Sequence, residues 1–240
     1  MKICIMFVSV VFLVAGVGYG QNQEGKDESV DISVKAFQQA IERNPHYAEA
    51  HYNLGILYSE KGMVEDAIQE YKNALEINPN FVKAYNNLGV TYYEAGQLDE
   101  AVGVLEKAVE ISPQYREAYY NLGIVYHEKK QYDMAIDAFN KTVELDPKFD
   151  KGYYNLGVTY TSMGNIDEAI NSFKNAINTN PGYSDAYYNL GVACAKKDQF
   201  DEAIKYLQRA QELNPDDYRP YFALGVIYQA KQKTKESGEK

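Results

Sequence analysis

Five asparagines stand 34 residues apart, at Asn53, Asn87, Asn121, Asn155 and Asn189. A primary amide carries two donors and an acceptor. A row of them can bond successive backbone groups of an extended peptide without reading its side chains. Tyr52, Tyr120, Tyr154 and Tyr188 each precede one of these asparagines by one residue, and Phe222 continues that column. Tyrosine offers a large contact area at low entropy cost, so this column is the second contact candidate. Ile56, Val90, Ile124, Val158, Val192 and Val226 form a third column, expected to pack between helices. The structural account of the asparagines is that they tether neighbouring helices, and both accounts stand at this point. Glu60, Glu94 and Glu128 extend the same stripe, with Ser162 and Lys196 at the later positions. The surface is therefore expected to run from acidic at one end to neutral or basic at the other.

Nothing else in the chain assembles into a reactive set. His46, His51 and His127 are the only histidines and share no metal-ligand spacing. No nucleophile is paired with a base, and no phosphate-binding loop exists. Asn140-Lys141-Thr142 matches a glycosylation sequon, but Thr142 falls on a packing face. Cys194 occupies the slot that holds Tyr58, Tyr92, Tyr126 and Tyr160 elsewhere, so it is expected to be a buried apolar filler. The chain is read as non-catalytic, with no cofactor and no metal.

The elements that position the columns follow from the same spacing. The phrase Tyr119-Tyr120-Asn121-Leu122-Gly123 recurs, with small changes, at 51–55, 85–89, 153–157, 187–191 and 221–225. Pro45, Pro79, Pro113, Pro147, Pro181 and Pro215 keep the same beat. Two markers in one register at this period point to a stack of paired helices. In the first full copy, helix A is expected over about 48–61 and helix B over 64–77, with Gly62 at the turn. Lys130 and Asp198 replace that glycine in two copies, which suggests that the turn does not always need positive φ. The stripe Ala50, His51, Leu54, Gly55 and Tyr58 must face B helices. The opposite stripe, Tyr52, Asn53, Ile56, Ser59 and Glu60, is left for the inner surface. Glycine in a helix interior costs about 1 kcal/mol against alanine. Six in register, Gly55 to Gly225, imply a shared reason, the close approach of helix A to helix B. Ala67, Ala101, Ala135, Ala169 and Ala203 are the expected residues opposite.

The organisation read from these signals is a half repeat at 30–47 and full repeats at 48–81, 82–115, 116–149, 150–183 and 184–217. A final helix follows at 218–231. Residues 1–20, apolar from Ile3 to Val17 apart from Ser9 and Gly16, read as a secretory signal, and 21–29 as a flexible linker. Cys4 precedes the apolar core, which argues against a lipoprotein. The rival reading of 3–20 is an uncleaved anchor, the only route to membrane association. Residues 232–240 read as a disordered tail. The formal net charge of -10 and pI of about 4.9 argue against a nucleic-acid partner.

These residues resemble the tetratricopeptide repeat (TPR) family over about residues 30–230. The resemblance rests on the Tyr, Leu-Gly and Tyr pattern of helix A, the Ala and Tyr/Leu/Phe pattern of helix B, and the closing proline. It implies an all-α solenoid, a right-handed superhelix whose A helices line a concave groove that holds a peptide or helix. The asparagine row resembles that of the TPR region of O-linked N-acetylglucosamine transferases. Departures are His51 for an aromatic residue, Cys194 for Tyr, Thr142 for Ala and Thr179 for an aliphatic residue. A clamp for a C-terminal carboxylate is not expected, although Lys83, Lys151 and Arg219 recur.

The expected function is that of an exported, periplasmic or secreted, module that binds a protein or peptide in the groove. The alternatives are a self-assembling scaffold and the substrate-binding arm of a glycosyltransferase-type complex. The C-terminal end, where Tyr221, Phe222, Leu224 and Ile227 have no helix B to cover them, is the expected surface for self-association. Leu224 is expected to be buried there and Ile227 exposed.

Overall fold

The structure, a computed structural model, describes the backbone of residues 23–238 and the side chains of residues 30–232. The segment read as a signal lies outside the described residues. The helices are α1 (Gln23–Arg43), α2 (Ala48–Glu60), α3 (Val64–Ile77), α4 (Val82–Glu94), α5 (Leu98–Ile111) and α6 (Arg116–Glu128). They continue as α7 (Tyr132–Leu145), α8 (Asp150–Met163), α9 (Ile166–Thr179), α10 (Ser184–Lys196), α11 (Phe200–Leu213) and α12 (Tyr218–Gly238). No strand occurs among the described residues. The internal boundaries fall within a residue of those read from the period. The two ends differ. The expected linker is helical from Gln23 and the expected tail is helical to Gly238. Both stretches are rich in Glu, Gln and Lys, which favour helix without needing to be buried.

Each A helix packs on its own B helix, each B helix on the next A helix, and A helices touch in sequence. Among the described residues no two B helices approach within 8 Å between Cα atoms. The A helices are thus the more closely spaced set, and the solenoid curves with them inside.

Two local devices repeat. Where helix B ends, Asn44, Asn78, Asp146 and Asn180 each accept the backbone N–H two residues on, across the proline. This Asx turn reverses the chain. The next helix then starts on an aromatic residue, Tyr47, Phe81, Tyr115, Phe149 or Tyr183, with no side-chain cap. Packing overrides capping there, since Phe81 and Phe149 lie 4.8 and 5.0 Å from the rings of Tyr52 and Tyr120.

Where helix A ends, the N–H groups of Met63, Gln97, Gln131, Asn165 and Gln199 bond the carbonyl oxygens of Tyr58, Tyr92, Tyr126, Tyr160 and Cys194. This six-to-one bond requires a left-handed residue just before it. Gly62, Gly96 and Gly164 supply it at φ of 71, 74 and 84°. Lys130 and Asp198 also adopt it, at 60 and 58°, so the expectation that the turn can avoid positive φ does not hold. The left-handed conformation costs a non-glycine residue about 1–2 kcal/mol. Part of that is offset because glycine leaves the unfolded chain more disordered. Lys130→Gly is accordingly expected to stabilise the array by about 0.5–1 kcal/mol. Thermal melting checks it, and a lower midpoint would contradict this account of the turn.

The mid-helix glycines mark the close approach of A to B, but not opposite the alanines. A Cβ on Gly55, Gly89, Gly123, Gly157 or Gly191 would lie 2.5–2.8 Å from the side chain of Tyr71, Leu105, Phe139, Phe173 or Leu207. The residue opposite is therefore the large one, sixteen positions on. The glycine is the socket for that side chain.

Ion pairs stitch the repeats at the surface. Lys129 and Lys197 at the ends of A helices reach Asp99 and Asp167 in the first turns of the preceding B helices, and Lys231 within α12 reaches Asp201 in the first turn of α11; Lys61 makes the equivalent pair with Asp31, which lies inside the longer α1. The acids of the first turn of helix B thus face both the helix dipole and a lysine. Such exposed pairs are worth little individually.

Candidate functional site

The concave face carries both columns, and the structure bonds them together. Asn87 Nδ2 donates to the Tyr52 hydroxyl at 3.2 Å, Asn155 Nδ2 to Tyr120 at 3.1 Å, and Asn189 Nδ2 to Tyr154 at 3.1 Å. Asn86 replaces the tyrosine in the second full repeat, and its Oδ1 accepts from Asn121 Nδ2 at 2.8 Å. Asn53, preceded by no full repeat, turns back to the Glu49 carbonyl oxygen at 2.7 Å. The asparagines therefore do tether neighbouring A helices. The tether uses one amide hydrogen. Oδ1 of Asn155 and Asn189, and the phenol hydrogens of Tyr52, Tyr120 and Tyr154, have no such role.

The tyrosine rings are half-buried. Tyr154 stacks on Tyr183 at 4.9 Å, Tyr52 meets Phe81 in a tilted contact, and Tyr120 meets Phe149 edge to face. Tyr188 instead lies under the Arg219 guanidinium, 4.9 Å away, which Asp185 and Asp217 hold in place. Burial raises the phenol pKa of Tyr52, Tyr120 and Tyr188, and pushes that of Tyr154 up to about 12. These hydroxyls stay protonated at neutral pH. Each ring is committed to packing on one side, and the edge bearing the hydroxyl is what remains for a ligand.

The period also places residues on this face that reading the columns overlooked. Tyr93 and His127 occupy the register of Ser59. The Thr159 hydroxyl gives its only proton to the Asn155 carbonyl at 2.7 Å, so it can only accept from His127 Nδ1 at 3.0 Å. Nδ1 thus carries the ring proton, and Nε2 is left as an acceptor. Burial lowers the His127 pKa, which favours this neutral form. Burial also raises the pKa of Glu94 and of Tyr93, the latter helped by Glu128 and Glu94. It lowers that of Lys196. Glu94 and Lys196 are exposed charges, acidic on α4 and basic on α10.

The other candidates are structural. His51 is 7 % exposed and bonds Glu70 at 2.5 Å and the Pro45 carbonyl at 3.2 Å. Cys194 is buried, and burial raises its pKa. Thr142 is fully buried and bonds the Ala138 carbonyl, which closes the sequon at Asn140 inside α7. Among the described residues no group of His, Cys, Asp or Glu could hold a metal ion, and no helix is long and apolar enough to cross a membrane.

Comparison with known proteins agrees with this architecture. Sequence profiles of the tetratricopeptide repeat match residues 81–148, 160–227, 36–69 and 138–171, and a TPR repeat profile matches 57–96. These segments overlap without a gap from residue 36 to residue 227. No curated protein matches the sequence. Among solved structures, YrrB, described as a TPR protein with an unusual peptide-binding site, is 29% identical over 79% of this chain and 98% of its own, with a TM-score of 0.67. MamA is 35% identical over 68% of this chain and 95% of its own, with a TM-score of 0.65. MamA 41-end from Desulfovibrio magneticus RS-1, 23% identical over 71% of this chain and 96% of its own at a TM-score of 0.66, shares the fold. From the period, the glycine sockets and these matches together, the chain belongs to the tetratricopeptide repeat family, an all-α solenoid class of protein–protein interaction modules.

Proposed function

We propose that the chain is a non-catalytic scaffold that holds an extended polypeptide along its concave face. The observation that carries this reading is the Asn–Tyr ladder. Asn87, Asn155 and Asn189 each fix the hydroxyl of the preceding repeat and are fixed by it, so both partners are pre-organised. The Asn155 and Asn189 rungs then offer both a phenol hydrogen and an amide oxygen, a donor and an acceptor that suit a peptide backbone, and the Asn87 rung offers the phenol hydrogen alone, because its amide oxygen accepts from Asn86. Pre-organisation removes an ordering cost from binding. Glu94, Glu128 and the overall negative charge favour a neutral or basic segment, with Lys196 meeting any acidic residue further along. Negative charge also argues against nucleic acid. The YrrB description lends support, since that relative of similar length has a peptide-binding site. The apolar leader at 3–17 supports export, periplasmic or secreted, or anchoring if it is retained. The exposed aromatic residues of α12 add a second contact at the C-terminal end.

The test is a screen of extended peptides by fluorescence polarisation. Changing Asn87, Asn121 and Asn155 together to Ala is expected to weaken the best binder at least tenfold, about 1.4 kcal/mol, with helicity retained. Unchanged affinity in a folded variant would leave the ladder as a tether only.

A further inference from the structure

We propose that the protein assembles head to tail, with α12 of one copy and α1 of the next joined as helix A and helix B of a composite repeat. The inference deepens the proposed C-terminal contact by naming its occupant.

One half of the joint is α12. It is an A helix in sequence, yet among the described helices it touches only α10 and α11. Its outward face exposes Tyr221 at 46%, Phe222 at 73% and Tyr228 at 51%. Gly225 holds the socket position, but a Cβ there would meet nothing within 4 Å. The socket is formed and empty. Leu224 and, against expectation, Ile227 are buried, at 9 and 5%. Ile227 turns towards α11, so the open face is the one beside it.

The other half is α1. Counting from Pro45, Phe37 stands in the register of Tyr71, Leu105, Phe139, Phe173 and Leu207, the side chains that fill the sockets. Those five are at most 2% exposed, whereas Phe37 is only partly buried. Ala40 and Ser33 are likewise partly buried, although Ala74 and Ala67 at the same positions are fully so. Among the described helices α1 touches only α2. Among the described helices, α1 has the register of a B helix with no A helix against it, and α12 that of an A helix with no B helix against it.

The same register matches further pairs across such a joint. Phe222 would fall against Tyr47 of the next copy, as Tyr52 does against Phe81 and Tyr120 against Phe149. Tyr47 is itself 47% exposed. Phe222 has no hydroxyl for Asn53 of the next copy, but Asn53 is already satisfied by Glu49. Both terminal helices are 21 residues long, whereas the internal ones in each class, such as α2 and α3, have 13 and 14. Within one chain the A–B turn stops each helix. At a joint between chains no turn is needed, and the extensions can run side by side. The interface is heterologous and repeats the screw of the solenoid, so it produces an open filament and no closed ring.

Sedimentation of the protein purified from expression of the whole chain tests this. The wild-type mass is expected to rise with concentration without a plateau. Gly225→Arg, which fills open space in the single copy, and Phe37→Arg are each expected to be monomeric. An equal mixture of the two is expected to form a dimer and nothing larger, through the unaltered α1 of the first and the unaltered α12 of the second. That result does not depend on how well α1 folds in Phe37→Arg. A monomeric wild type would mean that another segment, such as 3–17, or another protein covers the face. Self-association of Phe37→Arg alone would mean that α12 pairs with α12. Either result, or a mixture that stays monomeric, overturns the proposal. Peptide binding in the groove is expected to survive in Gly225→Arg, so failure here is separable from failure of the groove reading.

Discussion

Phe139→Ala is expected to destabilise the array by about 3–5 kcal/mol, the usual range for an aromatic residue deleted from a core. Phe139 is 1% exposed, and its ring lies on Gly123 with Tyr120 6.1 Å away between centroids. Alanine leaves a hole whose far wall is glycine backbone, so no side chain of α6 at that point can move in to fill it. The position is also central, in the third of the full repeats. Repeats interact with nearest neighbours, so a weak middle separates the two ends. Urea unfolding is expected to lose its single sharp transition, and the amides of α6, α7 and α8 to exchange first. Phe139→Leu is the control. Leu105 and Leu207 fill the same socket in sister repeats, so leucine is expected to cost under about 1.5 kcal/mol. An alanine variant within 1 kcal/mol of wild type, or a leucine variant as damaged as the alanine one, would contradict the socket account.

The repeat itself was legible because its markers are local. Asn-Pro and Asp-Pro reverse the chain by bonds that span two residues, and the apolar spacing of helix B shows within one element. The fold, the helix boundaries and the concave stripe all follow from such signals. What was not legible depends on partners one repeat away. The amide of Asn87 and the hydroxyl of Tyr52 lie 35 residues apart, and nothing in either neighbourhood says that they bond. The offset was present in the sequence, since Asn155 and Asn189 stand at the same distance from Tyr120 and Tyr154. The glycines were read correctly as close approach but paired with the wrong residue, because size alone suggested small against small. Lys130 and Asp198 misled for another reason. Residue preference spoke against a left-handed turn, while the six-to-one bond of the helix end demanded it. Ile227 misled because the rotation of α12 on α11 decides which side is outermost, and no residue pattern on α12 alone fixes that.

Gly123→Leu is the second large effect expected, about 1–3 kcal/mol or somewhat more from overpacking. A Cβ at Gly123 would sit 2.5, 2.6 and 2.8 Å from three ring carbons of Phe139. The ring cannot swing aside, because it is itself buried against Tyr120. Helix propensity acts in the opposite direction, since leucine is better than glycine by about 1 kcal/mol in a helix interior. The steric term must exceed that gain for the variant to be less stable, and contacts this short ensure it. Gly225→Leu isolates the two terms. It is the same substitution at the same position of helix A, with nothing within 4 Å of the new Cβ. Only the propensity gain remains there, so Gly225→Leu is expected to match or exceed the wild type in thermal melting of the single copy, measured at low concentration. Gly123→Leu is expected to melt lower, with the loss centred on α6 and α7. If both variants move in the same direction, the glycines of helix A are not sockets, and their recurrence needs a different physical cause.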